Sequence, residues 1–294
     1  MLNFYLSISI VLFIVPESTI AIVNIPEVDK DDYSVLVVIP GFGYHGHRYT
    51  FVLQSLKVLK EQSTVPTTCM LFQYSDIVHI SQRKQDKLKE FCTVLPYYYA
   101  NYADFIKAVP YNLVILSGFT HVLLLLDDIT LHDNYNLNKM IHVMNTNNLT
   151  VASPAVHFAK YWTTKKHIFN HDLYDVGHIS ESLEIFAALF TIEGWKCWYD
   201  MVEPALNAAG WGYDAYIQSY CSKRIPNFRI GVLDSMEATH NDRHWKIQSS
   251  YIPTHSSSLN AGQQQSNWLE VLKNRRNETY ELGSTKFFIA GLQP

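Results

Sequence analysis

The chain has 294 residues, 48% of them hydrophobic and 17% charged, with a formal net charge of −4. That length suits one large α/β domain or two small ones with a real core, and the balance excludes a disordered chain. Lys and Arg are scattered, and Arg275-Arg276 is too short for a basic patch, so no nucleic-acid partner is expected.

The N-terminus carries an address. Leu6 to Val15 is a run of about ten mainly apolar residues, closed by Pro16-Glu17. Such a run suits the core of a signal peptide, whereas a membrane helix needs roughly 20 residues. Thr19-Ile20-Ala21 places small residues for cleavage after Ala21. No Lys or Arg precedes the run, so an uncleaved short anchor and a buried first strand stay open as alternatives. Residues 1–21 are therefore read as signal peptide or anchor, 22–33 as linker, and 34–294 as one domain. The sequons Asn148-Leu149-Thr150 and Asn277-Glu278-Thr279 agree with the secretory pathway, in the endoplasmic reticulum or Golgi lumen or outside the cell. Cys69, Cys92, Cys197 and Cys221 allow two disulfides in three pairings, and the lack of a C-x-x-C pair argues against zinc. Cys197 with Cys221, which flank a glycine-rich stretch, is the pair expected as a staple.

After the acidic linker, Ser34 to Ile39 reads as a fully buried strand. Tyr49 to Gln62 has helical spacing, and Thr68 to Phe72 reads as the second strand. Lys84 to Cys92 is expected as a short helix, and a helical region starting at Tyr97 is broken near Pro110. His121 to Leu126 is the third strand, Asn138 to Met144 a helix, and Leu149 to Ala152 another strand. Ala155 to Gly177 is irregular and rich in His, Tyr and Lys. Helices are expected over Trp195–Leu206 and Asp214–Cys221, and a strand over Arg229–Leu233. A polar loop, Ser256 to Ser266, precedes a short helix over Trp268–Asn274. Strands alternating with helices predict an α/β fold with a mostly parallel central sheet flanked by helices.

Three stretches carry chemistry. Gly41-Phe42-Gly43-Tyr44-His45-Gly46 matches G-x-G-x-x-G between a strand and a helix, the context of a dinucleotide site. It has bulky residues in the loop, and the nearest carboxylate, Asp76, lies just past the second strand, so an NAD-dependent oxidoreductase ranks third among the readings. Asp127-Asp128 ends a buried strand, where open α/β sheets bind ligands, and such carboxylates must be paired, hydrated or metal-bound. Mg²⁺ or Mn²⁺ bridging them to a nucleotide diphosphate would satisfy them; a solvated strand-end turn is the plainer alternative. His240 is a candidate second metal ligand, with His244 as competitor, and Asp234 a strand-end cap. In Gly210-Trp211-Gly212-Tyr213-Asp214, glycines flank an aromatic plate that can stack on a sugar, and a carboxylate that can take a hydroxyl proton. A core Trp211 and a helix-capping Asp214 are the alternative there.

In that order these residues resemble a glycosyltransferase-like family known as domain of unknown function 707. The resemblance runs from about Ser34 to His240. It is carried by Leu183-Glu184, Phe190, Trp195-Lys196-Cys197, Gly210 to Asp214, Tyr220-Cys221 and Ile230-Gly231-Val232-Leu233-Asp234-Ser235 up to His240. It implies a GT-A-like nucleotide-sugar-binding fold. The family's acidic strand end reads Asp-Glu-Asp, so Asp128 takes the metal-binding place and Asp127 the middle one, both on the donor. Leu126 stands where the first Asp would be. Gly210 to Asp214 is also similar to the segment of inverting galactosyltransferases, which implies Asp214 as catalytic base with Trp211, Gly212 and Tyr213 around the acceptor; the family resemblance adds Glu184 there and Asp128 with His240 on Mn²⁺ or Mg²⁺. The expected activity is metal-dependent transfer of a sugar from a nucleotide-sugar donor to a glycan or other hydroxyl acceptor, with inversion. The rival reading is a non-catalytic sugar-binding protein on the same fold, favoured by Leu126. A membrane enters only through an N-terminal anchor.

Overall fold

The computed structural model describes residues 8–11, 22–25, 33–42, 46–74, 80–96, 100–157, 176–208, 210, 212–241, 261–276, 278–280 and 288–291. β1 (Ile8–Val11) and β2 (Ile22–Ile25) form an antiparallel two-stranded ribbon from the segment expected as signal peptide and linker. The remaining strands make one ten-stranded sheet. They are β3 (Val35–Phe42), β4 (Thr67–Gln73), β5 (Thr93–Pro96), β6 (His121–Leu125), β7 (Ile129–Leu131), β8 (Val151–His157), β9 (His178–Ser180), β10 (Ala187–Thr191), β11 (Ile230–His240) and β12 (Phe288–Gly291). Their order is β12-β9-β11-β8-β10-β6-β3-β4-β5, with β7 paired to β11.

The expected parallel arrangement holds for β5, β4, β3 and β6, and again for β8 with β11. It gives way at β10, which lies antiparallel to both β6 and β8, and at β7, β9 and β12. Helices cover the sheet: α1 (Gly46–Gln62), α2 (Gln82–Lys89), α3 (Tyr102–Lys107), α4 (Tyr111–Leu116), α5 (Leu137–Thr146), α6 (Ile192–Met201), α7 (Tyr213–Cys221) and α8 (Ala261–Arg276).

Alternation along the buried strands splits the core in two. Leu36 and Val38 of β3 point with Val122 and Leu124 of β6 into a cluster closed by Trp195, Trp198, Tyr213 and Trp268. Val35 and Val37 point the other way with Leu123 and Leu125, against Leu56, Leu59, Met140 and Met144. A continuous apolar run is what a strand covered on both faces requires.

Several boundaries differ from expectation. The helix expected over Trp195–Leu206 spans Ile192–Met201, because Thr191 caps its start by accepting from Gly194 N at 3.2 Å. The strand read as Arg229–Leu233 runs on to His240, held by β8 on one side and by β9 and then β7 on the other. Part of the expected irregular stretch, Ala155–His157, belongs to β8. Residues 261–266 are helical, not loop, since α8 begins at Ala261 and anchors through buried Trp268. Disulfides join Cys69 to Cys92 and, as expected, Cys197 on α6 to Cys221 on α7. No described helix is long and apolar enough to cross a membrane.

Candidate active site

β6 ends at Leu125, and the Leu126 N–H is taken by the Phe186 carbonyl at 2.8 Å. Asp127 and Asp128 then turn the chain into β7, and both are 7% exposed. Arg48, in the first turns of α1, bonds Asp127 through Nη1, and the same nitrogen lies 3.2 Å from Asp128 Oδ2. Burial works against the guanidinium charge, but the two carboxylates outweigh it and raise the Arg48 pKa.

The β7–β11 register sets His240 opposite Ile129, which brings it to the same turn from 112 residues away. Its Nε2 stands 3.2 Å from Asp128 Oδ2, and its ring packs on Phe186 at 4.3 Å. Asn241 donates to the Asp128 carbonyl from both its backbone N and Nδ2, each at 2.9 Å. Burial alone would push the Asp128 carboxyl up; the hydrogen bond with His240 and the charge of Arg48 pull it below the usual range. Asp128 Oδ1 is buried without a hydrogen-bond partner among the described residues. Among those residues no group of three or more His, Cys, Asp and Glu has metal-site geometry.

A second carboxylate pair involves Asp214 and Glu184. Asp214 lies in the first turn of α7, where its Oδ1 accepts from Ala215 N at 2.9 Å. Burial, and then the charge of Glu184, push its carboxyl up to about 7 against the pull of backbone N–H groups. Its surface is only partly covered, but protein packs closely around it. Glu184 sits two residues before Phe186, whose carbonyl takes the Leu126 N–H and whose ring packs on His240, both neighbours of the first carboxylate pair. Ala187 pairs with Leu125, so the residues before β10 and after β6 emerge at one edge of the sheet. Both pairs therefore share that edge.

The turn before α7 is built tightly. Gly210 and Gly212 have φ of +76° and +84°, which favour glycine. A Cβ on Gly210 would lie 2.3 Å from the Tyr102 ring, and one on Gly212 2.3 Å from the Gln265 amide. Tyr213 is fully buried; its hydroxyl accepts from Glu203 N and donates toward the Glu203 and Asn207 carbonyls, and its ring meets Trp268 edge-on at 4.7 Å. Expected at the acceptor, Tyr213 is instead a support under the turn, because no part of it reaches solvent. Gly212 stays at the surface of that turn, at the N-cap of α7. Trp211 and His244 lie outside the described residues, as do Gly43 and Asp76. Gly41 takes a φ of +76° and lets the Phe105 and Tyr74 rings close on the backbone, a packing reason for that glycine. Asp234 is not an exposed cap: at 1% exposure its Oδ2 is 2.9 Å from His178 Nδ1.

Sequence reasoning missed two neighbours of the site. Arg48 follows the glycine-rich loop, and a cation next to that motif was the available signal. Tyr102, whose hydroxyl pKa is raised by burial and then by the charge of Asp214, had none.

The family model described as "Protein of unknown function (DUF707)" matches residues 72–285, nearly three quarters of the chain and everything in the site except Arg48. The chain belongs to the DUF707 family. No curated protein matches this DUF707 chain. Among solved structures, GalNAc-T7 with UDP, GalNAc and Mn²⁺ is similar at a TM-score of 0.53 and 11% identity, over 82% of this chain. The match takes in 48% of that protein, so the DUF707 chain spans about half its length. S. aureus TarS in complex with UDP-GlcNAc is similar at a TM-score of 0.46 and 12% identity, over 84% of this chain and 73% of that one. A197 from STIV gives 0.41 and 9%, over 71% and 85%. The likeness to GalNAc-T7 shows the fold: a GT-A-like α/β sheet flanked by helices.

Proposed function

We propose that this DUF707 chain is a glycosyltransferase that moves a sugar from a nucleotide-sugar donor to a hydroxyl acceptor with inversion. The observation that carries the reading is the Asp214 carboxyl, raised to about 7 beside Glu184 at the sheet edge that also holds Asp127 and Asp128. A base with a pKa near the working pH combines a useful deprotonated fraction with enough basicity to take a proton. Asp214 accepts the proton of an acceptor hydroxyl as that oxygen attacks the anomeric carbon. The anomeric carbon–oxygen bond to the diphosphate breaks on the opposite face, and the nucleoside diphosphate departs. Glu184 keeps the pair's proton affinity high and orients the acceptor, and Gly212, through its left-handed backbone, turns the chain into α7 so that Asp214 meets the acceptor. Trp211 offers the stacking face.

The residues fit a divalent ion in one respect. Asp128 has a buried oxygen without a partner among the described residues, and with His240 it makes an oxygen-and-nitrogen pair suited to Mn²⁺ or Mg²⁺. Such ions commonly take only one or two protein ligands and complete their shell with phosphates and water. When bound, the ion supplies Lewis-acid stabilisation of the diphosphate. Asp127, neutralised by Arg48, borders the donor. The two disulfides support a lumenal or secreted location, reached through the signal segment at residues 1–21.

Leu126, in place of a carboxylate, favours a second reading: a sugar-binding protein without turnover. Nucleoside-diphosphate release from a panel of nucleotide sugars, with Mn²⁺ or with chelator, separates the two. Metal-stimulated release lost in Asp214→Asn and Asp128→Ala is the expected result. Glycan binding without release from any donor, and unchanged in Asp128→Ala, would move the assignment to the second reading.

A further inference from the structure

The sequon Asn148-Leu149-Thr150 joins α5 to β8, and its two functional residues have opposite surroundings. Asn148 ends α5 in a left-handed conformation, with a φ of +51°. Its N–H donates to the Asn145 carbonyl at 3.3 Å, and the Leu149 N–H to the Met144 carbonyl at 2.8 Å. Leu149 and Met144 both enter the core beneath, which completes the pattern that closes a helix on a left-handed residue. Asparagine tolerates that place better than most side chains, and the turn leaves Asn148 exposed.

Thr150 is shut in. It is 8% exposed, its N–H donates to the Arg229 carbonyl, and its carbonyl accepts from Thr191 N at 3.0 Å. A Cβ on Gly194 would lie 2.6 Å from the Thr150 carbonyl oxygen and 3.0 Å from its methyl group, so α6 packs directly on it. The sequon also lies at the far end of the sheet from the carboxylates. Val151 pairs with Phe190 and Phe190 with Val122, whereas Asp127 follows the other end of β6.

We propose that Asn148 is an N-glycosylation site whose glycan is attached before β8 docks on β10 and α6. The step moves an oligosaccharide from a lipid-diphosphate carrier in the lumen to Asn148 Nδ2. A bond forms from Nδ2 to the anomeric carbon and the bond from that carbon to the diphosphate breaks. Its electron pair leaves with the carrier, and one Nδ2 proton goes to solvent. An enzyme that reads Asn-x-Thr has to hold the threonine hydroxyl beside the asparagine, and folding withdraws Thr150 from reach. Once the chain is folded, the exposed cap holds the glycan in solvent and leaves the carboxylate edge open. That the chain meets the carrier rests on the lumenal location proposed above; the site and its timing rest on the cap and on Thr150.

The test is cell-free translation of the full chain with microsomes, once with its own N-terminus and once behind an added cleavable signal sequence. Chain protected from external protease is scored by a mobility shift that a peptide N-glycosidase removes, and mass spectrometry locates the modified Asn. Protected chain should be modified at Asn148, and Asn148→Gly should lose that shift. Glycine suits the left-handed cap, so this variant keeps its fold and the loss is that of the acceptor. Chain made without glycans, folded and disulfide-bonded, should be modified by the solubilised transferring enzyme at least about tenfold more slowly than the same chain reduced and unfolded, because a core strand opens rarely. Equal rates for the folded and unfolded chains, or protected chain left bare at Asn148, would overturn the proposal. If only the chain with the added signal is protected and modified, the lumenal location fails and the site stands.

Discussion

Replacing Asp214 by Asn should stabilise the protein above neutral pH while removing its activity. Folding raises the Asp214 carboxyl from 3.8 to about 7. A carboxyl raised in this way contributes stability that is fully present below the unfolded value and lost as pH rises through the folded one. Over that window the penalty grows to about 4 kcal/mol, at 1.36 kcal/mol per pH unit. Solvent at the exposed edge of Asp214 screens part of it, which leaves about 2 kcal/mol as the expected size. Asn has no charge to desolvate and can still accept from Ala215 N, so the variant escapes this penalty. Thermal unfolding of both proteins from about pH 4 to about pH 8.5 measures it. The variant should gain nothing near the acid end and several degrees above about pH 7, taking 2–4 °C per kcal/mol as typical for a chain of this size. Turnover should fall about 10²–10⁴-fold, the usual worth of a general base. A gain that is the same at both ends of the range, or a variant destabilised at high pH, would refute the reasoning.

Glu184→Gln removes a charge that raises Asp214, so the acidic limb of the kcat/KM profile, near pH 7 in the parent, should move to lower pH; an unmoved limb would uncouple the pair. Arg48→Ala leaves two nearly buried carboxylates without their guanidinium and should cost about 3 kcal/mol in urea unfolding. Added Mn²⁺ should recover part of that loss. Gly212→Ala should cost about 1–3 kcal/mol through its left-handed backbone and the Gln265 contact. Adding Gln265→Ala should relieve only the contact. Removing Cys197 and Cys221 together should cost about 3 kcal/mol, as expected for a loop of that length, measured by urea unfolding.

What could be read from the sequence was whatever local pattern determines. Leu123 to Leu126 followed by Asp127-Asp128 announces a buried strand that ends in charge, and β6 turns there. Pro110 marks the break between α3 and α4, since a proline nitrogen gives no hydrogen to a helix interior. β10 escaped notice because it is five residues long and runs into α6 with no turn residue, Thr191 serving as both strand end and helix cap. The length of β11 was hidden because its second half is held by β8 and β7, partners that its own residues do not reveal. Asp234 looked like a cap because its partner, His178, is 56 residues away. Arg48 was missed for the same reason: helical spacing shows which residues of α1 share a face, not which sheet edge they overlook.

The charge count at that edge explains how a chain with Leu126 can keep a donor site. As a metal ligand His240 would have to be neutral, and Asp127, Asp128 and Arg48 would then carry a net charge of −1. A diphosphate brings about two more negative charges, and like charges in so buried a turn repel strongly, so a further cation is needed. Arg48 does not fill that need, because both aspartates already hold it. Its contribution is to neutralise Asp127, the position that would otherwise repel the donor. That leaves Asp128, whose Oδ1 meets no donor among the described residues and whose Oδ2 meets His240, as the place where a divalent ion gains most. In the proposed enzyme, Arg48 therefore does for Asp127 what a metal does for Asp128. Chelation should weaken nucleoside-diphosphate binding in the parent, and Arg48→Ala should weaken it further by a route that added Mn²⁺ restores only in part. Binding indifferent to both changes would remove this division of labour.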